Sequence, residues 1–155
     1  MSVSEEKKHL DWVVYFLVEQ LTEAQIRNKR KPETYVGCTN DRISRIRRHN
    51  SPRNQTKKTA GRRWNMAAVT SSFGTGPKHL PDGTLNPAAR HSLSFEFHVQ
   101  RYRKVPKFRP RQHPRSRPLH LRFRDALAVA QTPKFAKHNI QLHPFQPYIH
   151  LLPAG

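Results

Sequence analysis

The stretch "WVVYFLV", residues 12–18, is an unbroken run of apolar, β-branched and aromatic side chains. Such a run predicts a central β-strand covered on both faces. The residues that follow, "TEAQIRNKRKPE", are polar and basic, and are expected to form a hairpin connection, because Pro32 lies too close to their end for a continuing helix. "TYVGCT", 34–39, then reads as a second strand, antiparallel to the first. Thr39, Asn40 and Asp41 are good helix caps, and a helix is expected from about 41 to 50. At 100° per residue, Ile43 and Ile46 fall on one stripe, expected to pack on the sheet. Arg42, Arg45 and His49 fall on the neighbouring stripe, while Ser44, Arg47 and Arg48 point to solvent.

A polar basic loop separates this helix from a third expected strand, "WNMAAVTSSF", 64–73. The turn-rich loop after it ends on Asn86-Pro87, a cap followed by proline at the first helical position. The helix it opens carries Leu93 and Phe97 on one stripe and Glu96 and Gln100 on an adjacent face. The fold class expected is α/β: a small antiparallel sheet flanked by helices, with a basic, proline-rich C-terminal extension. Three regions follow: a domain at 10–104, a linker at 105–118, and an extension at 119–155 docking on the domain. Residues 101–118 hold eight Lys/Arg and four Pro, the composition of an extended linker. The extension offers one short helix, expected at 123–131.

The chain's 155 residues include 29 Lys+Arg against 10 Asp+Glu, a net charge of +19. Self-repulsion of that size favours a polyanionic partner, and nucleic acid comes first because each neutralised phosphate releases a counterion. A membrane surface ranks lower, since no basic helix carries bulky apolar anchors. The single cysteine, Cys38, excludes a disulfide framework, a zinc ribbon and a RING finger. No apolar run of transmembrane length and no signal-peptide core is present, so the protein is expected to be intracellular, and nuclear if eukaryotic.

One acidic residue stands out: Glu96 lies in "SFEF", within a helix otherwise free of carboxylates. A half-buried carboxylate needs a partner, for which a metal ion and a salt bridge to Arg90 or Arg103 both qualify. Together with "VVY" (13–15), "YVG" (35–37), "RIRRHN" and Trp64-x-Met66, this ordered set resembles the GIY-YIG endonuclease family. The resemblance is closest to the eukaryotic flap and junction endonuclease subunit, and it spans roughly residues 10–104. It implies a metal-dependent DNA endonuclease using Mg²⁺ or Mn²⁺, acting on branched, flapped or nicked duplex in DNA repair or recombination.

Tyr15 and Tyr35 match the family's tyrosines, Arg45 its catalytic arginine, His49 the histidine one turn on, and Glu96 the metal-binding glutamate. Gly37 matches the family glycine, needed for positive φ or close approach, and Gln100 matches a subgroup glutamine. Arg42, Arg48, Lys57, Lys58, Arg62, Arg63 and Gln100 are the expected DNA contacts. Two features depart from the pattern: Val13 replaces the first motif's glycine, and the RING finger is absent. The alternatives are a non-catalytic basic binder that keeps the fold, and a sequence-specific nuclease, for which the chain has no obvious recognition module.

Overall fold

The computed structural model describes residues 10–53, 59, 61–102 and 117–153. Four antiparallel strands form one sheet in the order β2-β1-β3-β4: β1 Val13–Glu19, β2 Thr34–Thr39, β3 Trp64–Thr70 and β4 Leu142–Pro144. Every residue of β1 is buried, as its composition predicts. Its side chains divide with period two. Val14, Phe16 and Val18 enter one core layer, and Val13, Tyr15 and Leu17 enter the layer on the opposite face.

The first layer is closed by α3 (Pro87–Gln100) and α4 (Leu119–Ala130), which supply Phe95, Val99, Leu119, Phe123, Ala126 and Val129. Truncating one of these large side chains to alanine costs about 2–5 kcal/mol. The second layer is closed by α2 (Arg42–His49), with Ile46, Trp64 and Phe145. Between Phe16 and Leu17 the pairing with β3 slips by one residue. Ala67 and Ala68 therefore both face the first layer, while Met66 and Val69 stay with Tyr15 on the other.

Several elements differ from the sequence expectations. Within the expected hairpin connection, Glu23–Arg27 form a short helix, α1, because Thr22 and Gln25 make a reciprocal capping box. On α2, Ile43 is 59% exposed, and the inward stripe is instead Ile46 with His49. Ile43 lies one step past the edge of that stripe. On α3 the buried stripe is Ala88, Ala89, Ser92, Phe95 and Val99, and Leu93 and Phe97 lie outside it. The helix expected at 123–131 begins four residues earlier, at Leu119, directly after Pro118.

A fourth strand, β4, pairs with β3 from Ala68↔Pro144 to Thr70↔Leu142, preceded by the short helix α5 (Pro133–Ala136). Most of the expected linker at 105–118, and the boundary at 104, lie outside the described residues. No helix among the described residues is long and apolar enough to cross a membrane.

Candidate active site at the β2 edge

Tyr15 and Gly37 are direct cross-strand partners on β1 and β2. The Tyr15 phenol lies flat across its partner: a Cβ at position 37 would collide with the ring carbon bearing the hydroxyl and with the hydroxyl itself. Gly37 is not among the glycines with positive φ, so close approach accounts for the residue. The missing side chain lets the phenol reach over β2, which is one edge of the sheet.

There the Tyr15 hydroxyl lies 2.8 Å from His49 Nε2, and His49 Nδ1 lies 2.8 Å from Thr59 Oγ1. The Tyr35 ring centroid is 6.2 Å from that of Tyr15 and 5.2 Å from that of His49. His49 is aimed from the last turn of α2, whose start is capped by Asp41 accepting from the Ser44 amide at 3.1 Å. Its end is tied down by Asn50. That side-chain amide pairs with both backbone groups of Trp64, at 2.7 and 3.0 Å, fastening the helix to β3.

Glu96 comes from α3, on the other side of the sheet. Gln100, one turn on, donates to Glu96 Oε1 at 3.2 Å and to the Val36 carbonyl at 2.8 Å. One amide thus holds the carboxylate and ties it to the edge strand. Gln100, expected as a DNA contact, spends its amide group inside the protein in this way.

The titration behaviour reflects this convergence. Burial pushes the Tyr15 hydroxyl well above its ordinary value, with Tyr35 and Glu96 adding to the rise and Arg45 opposing it. Burial and then Glu96 raise Tyr35, while Arg45 and a hydrogen bond with Tyr15 oppose. Burial, Arg45 and Arg48 lower His49 to about 4. At neutral pH, both phenols therefore keep their protons and the imidazole is uncharged. Tyr15, Tyr35 and His49 pack together at this edge, and Arg45 and Glu96 act on both phenols electrostatically.

The outer ring of expected contacts divides. Arg42, Arg48 and Arg63 are exposed, with Arg42 lying over the Phe145 ring at 5.3 Å. Arg62 does not belong with them. It is held by Glu33 and lies 3.7 Å from Glu19, in an ion network that also takes in Arg30. Glu19 ends β1 with 6% exposure, and a carboxylate that buried requires such cations. Lys57 and Lys58 lie outside the described residues.

Val13, in the place of the motif glycine, is buried in the same layer as Tyr15. Cys38 is half-buried beside Ser92, and burial raises its thiol to about 12, which leaves it unreactive at neutral pH. Sequence alone does not mark Thr59 or Asn50 as site residues. Both work through contacts that no spacing rule encodes.

Residues 25–75 match the family model of the GIY-YIG catalytic domain. The matched stretch contains Tyr35, Gly37, Arg45 and His49, and the fold brings Tyr15 and Glu96 to it from outside. The match indicates a nuclease, a hydrolase of DNA phosphodiester bonds, and the four-stranded antiparallel sheet flanked by helices is consistent with that fold. No curated protein matches the chain in sequence.

Proposed function

We propose that the nuclease domain marked by residues 25–75 belongs to a divalent-metal-dependent endonuclease that cuts branched or flapped DNA with the side chains gathered at the β2 edge. The observation that carries the reading is the Tyr15–His49–Thr59 chain of 2.8 Å contacts, set beside a carboxylate that Gln100 holds in place.

The residues fit a metal of one kind. Among the described residues, no group of three or more His, Cys, Asp or Glu could hold an ion unaided. A single oriented carboxylate suits Mg²⁺ or Mn²⁺, which keep several waters and share their shell with substrate phosphate. Glu96 would hold the ion, which stabilises charge on the attacked phosphate and the leaving oxygen when bound.

Arg45 grips the non-bridging oxygens, for which a planar guanidinium is suited. Tyr15 positions the attacking water. With Nδ1–H donating to Thr59, His49 Nε2 is left to accept the phenol proton. As the water oxygen bonds to phosphorus and the bond to the leaving oxygen breaks, the water's proton passes to Tyr15. The phenol's own proton passes to His49, and the leaving oxygen is protonated from solvent. Arg45 both opposes the rise in the phenol and disfavours a charged His49. Phosphate bound at Arg45 offsets the second effect, so His49 becomes a better acceptor once substrate is in place. Tyr35 orients the water or phosphate from the other side. Arg42, Arg48 and Arg63 contact flanking phosphates, which position the duplex without reading its sequence. An intracellular location, nuclear in a eukaryote, accompanies this reading, as does a role in repair or recombination.

Labelled 5′-flap, four-way junction and plain duplex DNA, each incubated with the protein and Mg²⁺ or Mn²⁺, test the substrate class. The expected result is nicking of the flap and junction at least about tenfold faster than of the duplex. Equal rates on all three, or cutting of the duplex at one sequence only, would remove the branched-DNA assignment.

A further inference from the structure

The face of α3 that points away from the sheet carries a second feature. Phe97 follows Glu96 directly, yet its ring is 51% exposed, and Tyr102 just past the helix is 46% exposed. The two aromatics line one groove with His98, Arg101, Val129 and Thr132, where the end of α3 meets the end of α4. The Arg101 guanidinium lies over the Phe97 ring at 4.0 Å. Exposed aromatic rings are unfavourable in water, and these two flank a cation in a chain of net charge +19. The chemistry that satisfies such a groove is flat, aromatic and anionic. A nucleobase attached to its phosphate has all three properties.

We propose that this groove is a base-stacking subsite for an unpaired nucleotide of the substrate strand, an inference that rests on the nuclease reading. Phe97 and Tyr102 supply ring faces. Arg101 extends the platform, since guanidinium planes also stack on bases, and it attracts the adjoining phosphate. Position on the helix links the subsite to the chemistry. Glu96 and Gln100 turn toward the β2 edge, and Phe97 and Arg101, the next residue after each, turn outward. Consecutive helical residues point about 100° apart, so the Phe97 ring stands on the order of 10 Å from the Glu96 carboxylate, roughly the span of one to two nucleotides of a strand whose phosphate sits at Glu96. A duplex must unpair and unstack a base to fill this groove, at a cost of about a few kcal/mol, whereas a flap or frayed junction offers one already free. The groove therefore supplies a physical basis for preferring branched substrates.

The test is read by binding, in chelator, so that it does not depend on cleavage. Wild type and Phe97→Ala are titrated with a labelled 5′-flap and with the matching duplex. In parallel, flaps carrying 5-iodouracil at successive unpaired positions are irradiated and the cross-linked residue is mapped. The expected result is roughly five- to hundredfold weaker flap binding by the variant, the range found for loss of one stacked base. Duplex affinity should stay unchanged, Phe97→Tyr should restore flap binding, and the cross-link should fall on Phe97 or Tyr102. Phe97 is largely exposed, so its replacement leaves the core intact. Equal flap affinity in both proteins, an equal loss on flap and duplex, or a cross-link elsewhere would overturn the subsite. Failure to cut in the presence of Mn²⁺, with the flap-selective binding and cross-link intact, would instead count against the nuclease reading.

Discussion

Gly37→Ala is expected to cost both stability and nearly all activity. The added methyl would occupy space now filled by the Tyr15 phenol. That phenol has no easy escape, because the residue is 2% exposed, packed in the core layer and 2.8 Å from His49 Nε2. Either the ring moves and the contact with His49 breaks, or β2 moves and carries Tyr35 with it. Overpacking of this kind costs about 1–3 kcal/mol. Displacing the phenol should lower the single-turnover cleavage rate by about 10²–10³, since a small misplacement of a reacting group has that effect. Thermal unfolding combined with a cleavage assay checks both parts. Wild-type activity in a variant that remains folded would show that the phenol's path over Gly37 is unimportant.

Glu96→Gln should leave the fold and DNA binding close to normal and reduce cleavage by about 10³, corresponding to several kcal/mol of charge stabilisation. The substitution keeps the side chain's size and a carbonyl oxygen for Gln100. It removes the negative charge that would hold the ion. Removing that charge also takes away one contribution that raises both phenols. The loss is therefore assigned to the missing ion site rather than to a less reactive Tyr15. Rates measured across a range of Mn²⁺ concentrations separate weaker ion binding, which excess ion relieves in part, from any other defect. Cleavage equal to wild type at all ion concentrations would remove Glu96 from the reaction.

Much of this arrangement is written in local sequence. The run at 12–18 states its own burial, because a strand covered on both faces has no polar alternation. Asn86-Pro87 states a helix start, and Asn86 accepts from the Ala88 amide as expected. Gly37 could be anticipated as a special position, but only its partner across the strand pair reveals the reason. What stayed hidden depends on distant partners. On α2, Ile43 and His49 compete for the inward face, and the hydrogen bond to Tyr15 favours His49 over the stripe that spacing alone predicts. Arg62 reads as one more surface cation until the buried Glu19 is seen at the end of β1. The strand β4 has only three residues, ends on Pro144, and is defined by the edge of β3 that it covers. Thr59 has no motif, although it is fully buried and sets the orientation of His49.

In the proposed reaction, one phenolic oxygen, delivered over a glycine to the sheet edge, handles the proton of the attacking water. Tyr15→Phe deletes that oxygen and little else. Binding of a labelled 5′-flap by anisotropy and its single-turnover cleavage in Mn²⁺, measured on the same preparation, give the most direct test. The predicted result is unchanged affinity with cleavage reduced by about 10²–10⁴, the range for loss of a positioned proton-transfer group. A phenylalanine variant that binds normally and cuts at the wild-type rate would contradict it.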